Sequence, residues 1–365
     1  MGGIKSPAVE LLSSVERKQK YLLGCKKCST QDMENGEEEY MPVSITKNQQ
    51  PEEILRKMFQ RAGLPEIVSF RELTEGFFNV AYEARDAAGG EYILKIAPPS
   101  GSVLMTHEKN IMWSEVHSMK RVREELSVPA AKILYYDPGC TVCDSEYFIM
   151  EKLPGSSFSS RMEEMLPEEK DSVYRALGRY NRELNSLRGE SFGYYGQPEK
   201  RGKHWYSAFF GMVCDALGDA RRLHIDLQTP EEEILRLLER DREYFEPVKE
   251  PCFVHWDLWA GNVFVENGRI TGLIDFERCL WADPLMEVGF RTYGLFPPFL
   301  EGYGGKSLTK EEFRRAKWYD VYLFLIACLE CDYRQYDTRD TYIWGTGMLR
   351  KWIQELKEPE AIERG

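Results

Sequence analysis

Apolar positions recur along this chain first with the period of strands and later with the period of helices. Ile54, Leu55, Met58 and Phe59 fall on one helical face, and Gly63 ends that run. Three strand-like runs follow. IVSFREL leads into the turn TEGFFN, NVAYEARD into the turn AAGG, and EYILKIAP ends at Pro98 and Pro99. Gly and polar residues at both turns predict an antiparallel meander. A helix carrying Glu115, Met119 and Val122 comes next, then short strands ending in YFIMEKLPG. From Pro154 the pattern is mainly helical. Val173, Leu177, Tyr180, Leu184 and Leu187 recur at alternating steps of four and three, and Gly189 stops them. Pro230 opens a helix through Leu238, and Leu308–Tyr333 and Tyr342–Leu356 read as the last two. No internal repeat interrupts the series.

The pattern predicts an α+β protein of two lobes. Residues 42–152 form a β-rich N-lobe and residues 153–365 a helical C-lobe, joined near Glu151 to Gly155, where ligands often bind. Residues 1–41 are polar, with an acidic run at Glu37, Glu38 and Glu39, and read as a disordered tail. Met41 opens a segment that looks like a natural start, so the tail is expected to be dispensable.

The strongest chemical signal is HWDLWAGNVFVENGRITGLIDFE, residues 255–277. Asn267-Gly268 is a two-residue hairpin turn, because both of its positions need positive φ. In such a hairpin Glu266 faces Arg269, Val265 faces Ile270 and Asn262 falls opposite Leu273. Asp275 lies two residues beyond. An amide oxygen and a carboxylate brought together at the open end suit an oxygen-loving cation such as Mg²⁺. Asp257 sits in the loop entering the hairpin. H-x-D-x-x-x-x-N, then strand, turn, strand and Asp, is a kinase catalytic arrangement. Its loop Asp takes the proton of, or orients, the attacking hydroxyl, while the Asn and the second Asp hold the metal.

The block resembles the aminoglycoside phosphotransferase and choline kinase family, whose hallmark is H-G-D-x-x-x-x-N followed by I-D-[FW]. Trp256 stands where that family usually has Gly. WADPLMEVGF resembles the family's GDPxxDLA. Asp283 and Pro284 match it, and Asp283 is expected to cap a helix. Glu287 stands where Asp is usual, and His255 matches a structural His. The resemblance implies a bilobal protein-kinase-like fold and a Mg²⁺-dependent transfer of the γ-phosphate of ATP or GTP to a small-molecule hydroxyl. Asp257 would be catalytic, and Asn262 and Asp275 would be the metal ligands.

The nucleotide half follows from the same resemblance. Lys95, in the middle of YILKIAP, matches the strand lysine that contacts phosphates. Glu115 is its expected partner, and Glu108 is the competitor at a worse offset. LTEGFFNVAY resembles the nucleotide loop, with Gly76 and Asn79 matching and Glu75 replacing a glycine. YFIMEKLPG resembles the lobe connector, where backbone groups of Glu151 and Leu153 would hold the base. Gly305-Lys306-Ser307 only imitates a P-loop, since Leu300 occupies the first glycine position and no strand precedes it.

Bulk properties narrow the partners. A net charge of −12 over 365 residues disfavours nucleic acid and anionic membranes. The most apolar run, Val321 to Leu329, is too short to span a bilayer, and the first residues lack a continuous apolar stretch, so no signal peptide is expected. Nine cysteines include CxxC spacings at Cys25/Cys28, Cys140/Cys143 and Cys328/Cys331, without the intervals of a zinc finger. They read as reduced thiols of a cytoplasmic protein, monomeric or homodimeric. The acceptor stays open among amino sugars (aminoglycosides included), amino alcohols and sugars. Glu287, Glu330, Asp332 and Asp337 could meet a polyamine, although charged helix residues are more often solvated faces. A protein kinase is disfavoured, because no activation segment follows Asp275. The alternative from another class is a catalytically inactive nucleotide-binding module.

Overall fold

The computed structural model describes residues 45–358 other than Glu75, Phe77 and Lys306. The tail 1–41, the Met41 start, the Cys25/Cys28 pair, Glu75 of the turn and Lys306 of the P-loop imitation lie outside the described residues.

Pro51 leads into α1 (Glu52–Arg61), whose first turn carries Glu52 and Glu53 at the positive end of the helix dipole. Gly63, at φ +68°, turns the chain out of it. Then come β1 (Ile67–Leu73), β2 (Val80–Asp86) and β3 (Glu91–Ile96), followed by α2 (Ile111–Glu125) and the strands β4 (Ile133–Asp137) and β5 (Tyr147–Glu151). They form one five-stranded antiparallel sheet in the order β1-β2-β3-β5-β4. Strand alternation separates its two faces. Leu94 and Ile149 pack under Leu55, Met58 and Phe59 of α1. Lys95 and Phe148 point to the opposite face, where Phe148 packs in the same core as Val116 and Met119 of α2.

Beyond β5 the chain crosses the Asn267-Gly268 hairpin. Short β6 (Ser156–Ser157) pairs with β9 (Val263–Glu266), which in turn pairs with β10 (Arg269–Leu273). Gly155 is required at this crossing. It adopts φ +83°, and a Cβ there would lie 2.1 Å from the Val265 carbonyl oxygen.

The helical lobe contains the short α3 (Phe158–Arg161), then α4 (Pro167–Leu184), α5 (Trp205–Arg222), α6 (Glu231–Arg240), α7 (Pro297–Tyr303), α8 (Lys310–Tyr333) and α9 (Asp340–Lys357). A second small sheet sets β11 (Leu280–Ala282) between β7 (Gly193–Tyr194) and β8 (Cys252–Val254). Helix α8 opens with a reciprocal cap: Thr309 Oγ1 accepts the Glu312 N–H at 3.2 Å and Glu312 Oε2 accepts the Thr309 N–H at 3.0 Å. It is buried nearly all round, with Trp318, Tyr319, Tyr322, Phe324 and Leu325 inside the main core. Among the described residues no helix is long and apolar enough to cross a membrane.

The predicted elements match the structure apart from three kinds of difference. The run beginning at Val173 ends at Leu184, and Gly189 instead sits under the Trp281 ring. Helices α3, α5 and α7 and the short strands β6, β7, β8 and β11 have no counterpart among the predicted elements. The hairpin register also differs. Glu266 faces Arg269 and Val265 faces Ile270, as expected, but a bulge between Ile270 and Gly272 shifts the ladder by one. Asn262 therefore meets Ile274, whose N–H donates to the Asn262 carbonyl at 3.1 Å. Asp275 lies one residue beyond this pair rather than two.

Candidate active site

The hairpin delivers its polar residues to the interface between the lobes. Asn267 and Gly268 turn it with φ of +49° and +71°. At its open end the Asn262 side chain folds back on the preceding loop. Its Nδ2 donates to the Asp257 carbonyl at 2.8 Å and lies 3.4 Å from Asp257 Oδ2. That leaves the amide oxygen as the side chain's remaining polar atom, the donor type a hard dication takes. Asp275 follows at φ +62°, a left-handed conformation that swings its carboxylate toward the sheet.

There it meets Lys95. Lys95 Nζ contacts Asp275 Oδ1 at 2.6 Å and both Glu115 oxygens at 2.8 and 2.9 Å. Burial opposes the ammonium charge, but the Asp275 and Glu115 carboxylates outweigh it, so the Lys95 pKa is raised. Burial pushes Asp275 up, yet Lys95 overcomes that and holds it below its ordinary value. Glu108 is not the lysine's partner. It accepts the Met105 N–H at 2.9 Å and pairs with Arg334 at 2.9 Å.

The loop before Asp257 is carried from below. His255 is fully buried. Its Nε2–H donates to the Ile274 carbonyl at 3.0 Å, and its Nδ1 accepts the Asp257 N–H at 3.3 Å. These partners fix a neutral ring, in line with burial lowering its pKa to about 4. Trp256 adopts φ +66°, which accounts for the glycine usual at this place in the resembling family. Its indole is buried, 5.3 Å from the Tyr322 ring, with the Arg278 guanidinium 5.7 Å above it. Asp257 itself is half-buried, and burial raises its pKa to about 7 against the pull of Arg278.

Asn79 does not reach free into the cleft. Its Nδ2 donates to Glu277 Oε2 at 2.7 Å, which ties the turn after β1 to the residue two places past Asp275. Gly76 is exposed. A Cβ there would meet only the Asn79 carbonyl oxygen, at an ordinary 3.6 Å, so its backbone does not require glycine. Glu151 ends β5 with its side chain in solvent and its N–H on the Lys132 carbonyl. Leu153 lies against Gly272 of the hairpin.

The acidic residues considered for the acceptor are not a set of solvated helix faces. Glu287 is fully buried. It accepts the N–H groups of His255 at 2.8 Å and Trp256 at 3.2 Å, and the Asn185 amide at 3.2 Å, so it supports the loop from within. Glu330 pairs with Arg278 at 3.0 Å and Arg334 at 3.4 Å, and Asp332 with Arg339 at 2.7 Å. Asp337 is exposed. Asp283 caps a single turn, accepting the Leu285 N–H at 3.1 Å, and also binds Arg315 and Tyr319. The sequence reading missed Glu277, Arg278 and Arg334. Glu277 and Arg278 had a signal, as charges directly after the Asp-Phe pair, whereas Arg334 had none.

The seven described cysteines are free thiols, and no group of three or more His, Cys, Asp or Glu among the described residues is placed to hold a metal. A cation at Asn262 and Asp275 would therefore draw its other ligands from a bound phosphate or water. That donor set suits Mg²⁺, which keeps such ligands.

A small antiparallel sheet over a helical lobe, with Lys, Glu and Asp meeting between them, defines a kinase-like phosphotransferase fold. The chain belongs to the phosphotransferase enzyme family, whose profile matches residues 69–319. A search of curated proteins finds no match. Among solved structures, the apo form of a thermostable mutant of aminoglycoside phosphotransferase APH(4)-Ia superposes with a TM-score of 0.60 at 18% identity, covering 84% of this chain and 99% of that one. The gentamicin complex of APH(2")-IIa gives 0.58 at 18% identity, covering 83% and 97%. A putative aminoglycoside phosphotransferase from Ralstonia eutropha gives 0.57 at 12%, covering 84% and 98%.

Proposed function

We propose that this protein transfers the γ-phosphate of ATP or GTP to a hydroxyl of a small molecule, with Mg²⁺ as cofactor. The observation that carries the proposal is Lys95 held between Glu115 of α2 and Asp275 of the hairpin, at 2.6 to 2.9 Å. A lysine buried in a strand has no packing reason to be there, and this trio is the one a kinase uses to orient phosphates and metal. In this reading residues 42–152 are the nucleotide lobe, 153–365 the acceptor lobe, and 1–41 a dispensable tail. Gly76 and Asn79 belong to the loop over the phosphates, and the backbone at Glu151 and Leu153 meets the base.

Asn262 and Asp275 would hold Mg²⁺, whose charge supports the phosphates when it is bound. Asp257 takes the proton of, or orients, the acceptor hydroxyl. A carboxylate raised to about 7 is a better proton acceptor than an ordinary aspartate. Amino sugars and amino alcohols lead as acceptors. A similar structure is a ternary complex of the APH(4)-Ia mutant with ADP and hygromycin B. The free thiols fit a reducing, cytoplasmic setting. An inactive nucleotide-binding module is the weaker reading, since Asp257, Asn262 and Asp275 are all retained. The test is nucleotide turnover across a panel of amino sugars, amino alcohols and sugars. Acceptor-dependent release of nucleoside diphosphate supports transfer. Tight nucleotide binding with no turnover on any acceptor would favour the inactive module.

A further inference from the structure

Arg334 closes the C-terminal end of α8, yet its contacts reach across to the sheet lobe. The residue is buried (4% exposed). Nη2 donates to Glu108 Oε1 at 2.9 Å and faces Glu330 at 3.4 Å, while Nη1 donates to the Tyr336 hydroxyl at 3.0 Å. The guanidinium carbon lies 5.3 Å from the centre of the Phe78 ring. Phe78 belongs to the turn between β1 and β2, and Glu108 ends the single turn Thr106–Glu108 that leads into α2, seven residues before Glu115. One side chain of the helical lobe thus touches both the turn after β1 and the turn that leads into α2.

A second contact closes the same junction. The Arg334 carbonyl accepts the Ile45 N–H at 3.3 Å. The next residue, Thr46, is buried (1% exposed) and donates its hydroxyl to the Phe78 carbonyl at 2.9 Å. The segment ahead of α1 therefore pins Phe78 from one side and Arg334 covers it from the other. The turn bearing Glu108 is also tied to α5, because Asp219 accepts the Thr106 N–H at 2.6 Å and its hydroxyl at 2.8 Å.

We infer that Arg334 is a positioning residue that sets the nucleotide loop at Phe78 and the start of α2 from the helical lobe. The inference rests on the nucleotide reading of Lys95 and Glu115 above. The turn from Thr74 to Asn79 has a single glycine, Gly76, and its buried Phe78 is held by Thr46 and Arg334. Fixing such a loop before the ligand arrives removes ordering entropy from the binding step. Arginine suits the place better than lysine. Its planar fork addresses Glu108, Glu330 and Tyr336 at once while its face lies on Phe78, and an ammonium offers no such plane. The contact with Glu108 also acts on α2 as a rigid body, so it bears on where Glu115 stands relative to Lys95.

The test uses the full chain with Arg334→Met, Arg334→Lys and Thr46→Val. Binding of ATP with Mg²⁺ is measured by calorimetry, beside circular dichroism and urea unfolding. Arg334→Met is expected to weaken ATP binding about tenfold, the order that losing a buried charged hydrogen bond produces. Arg334→Lys should lose less, and Thr46→Val should lose severalfold with its fold intact. A folded Arg334→Met or Thr46→Val protein with wild-type ATP affinity overturns the inference. If the wild type binds neither ATP nor GTP, the nucleotide reading itself fails. Amide exchange of segments 74–79 and 106–115 then decides on positioning alone. Faster exchange of both segments in Arg334→Met supports it, and unchanged exchange overturns it.

Discussion

Glu287 Oε2 accepts the backbone N–H of Trp256 at 3.2 Å, while Oε1 of the same carboxylate takes that of His255 at 2.8 Å. One buried side chain about thirty residues later in the chain thus holds two backbone N–H groups of the loop that presents Asp257. Glu287→Gln keeps the shape but replaces one acceptor with an N–H₂ group facing a donor. A buried N–H left unpaired costs about 1–3 kcal/mol. Displacing the loop should cut turnover roughly a hundredfold while nucleotide affinity changes little. Steady-state kinetics beside nucleotide titration check the split, and equal losses in both would argue against this role.

Trp256 sets two effects against each other. A non-glycine residue at φ +66° costs about 1–2 kcal/mol relative to glycine. Removing an indole packed against Tyr322 and Arg278 costs about 3–5 kcal/mol. The second is larger, so Trp256→Gly, although it restores the residue usual in the family, should destabilise the protein by about 1–4 kcal/mol. Urea unfolding measures it. A glycine variant more stable than the wild type would mean that backbone strain outweighs the packing.

Most of the sheet lobe and the hairpin were legible because their signals are local. Asn267-Gly268 and the strand-like run EYILKIAP, with Lys95 between Leu94 and Ile96, needed no knowledge of the rest of the chain, whereas the pairing of Lys95 with Glu115 came from the family resemblance. The bulge after Ile270 was not legible, since a two-residue turn fixes register only until an extra residue enters. Helix α5 carried a signal: Trp205, Ala208, Phe209, Met212, Val213, Ala216, Leu217 and Ala220 recur at steps of three and four. Helix α7, seven residues with two prolines at its start, carried almost none. The roles of Glu287 and Arg334 depend on contacts over long sequence separations. A glutamate in the place of an aspartate, or an arginine at a helix end, says nothing alone about what it touches.

His255 should make stability depend on pH in the acid range. Its folded pKa, lowered to about 4 by burial, lies below the ordinary value near 6.5 of an unfolded chain. The unfolded state therefore binds the extra proton between those values, and stability is lost as pH falls from about 6.5 toward 4. The full effect is about 3 kcal/mol. His107, also buried and lowered well below its ordinary value, acts in the same direction. The stability difference between wild type and His255→Gln should be largest near pH 7 and shrink toward pH 4.5 in parallel denaturation curves. A difference that stays constant over that range would mean that His255 is not buried as a neutral ring.

The central claim is that Asp257 serves the acceptor side of a phosphoryl transfer, while Lys95, Asn262 and Asp275 serve the nucleotide and metal side. Single-turnover transfer from Mg²⁺-bound nucleotide to the best acceptor of the panel, measured in Asp257→Asn beside nucleotide affinity, tests this most directly. The expected result is a loss in transfer of about 10²–10⁴-fold with nucleotide affinity within a fewfold of wild type. Transfer at the wild-type rate in that variant, or a loss of nucleotide binding as large as the loss of transfer, would contradict the account.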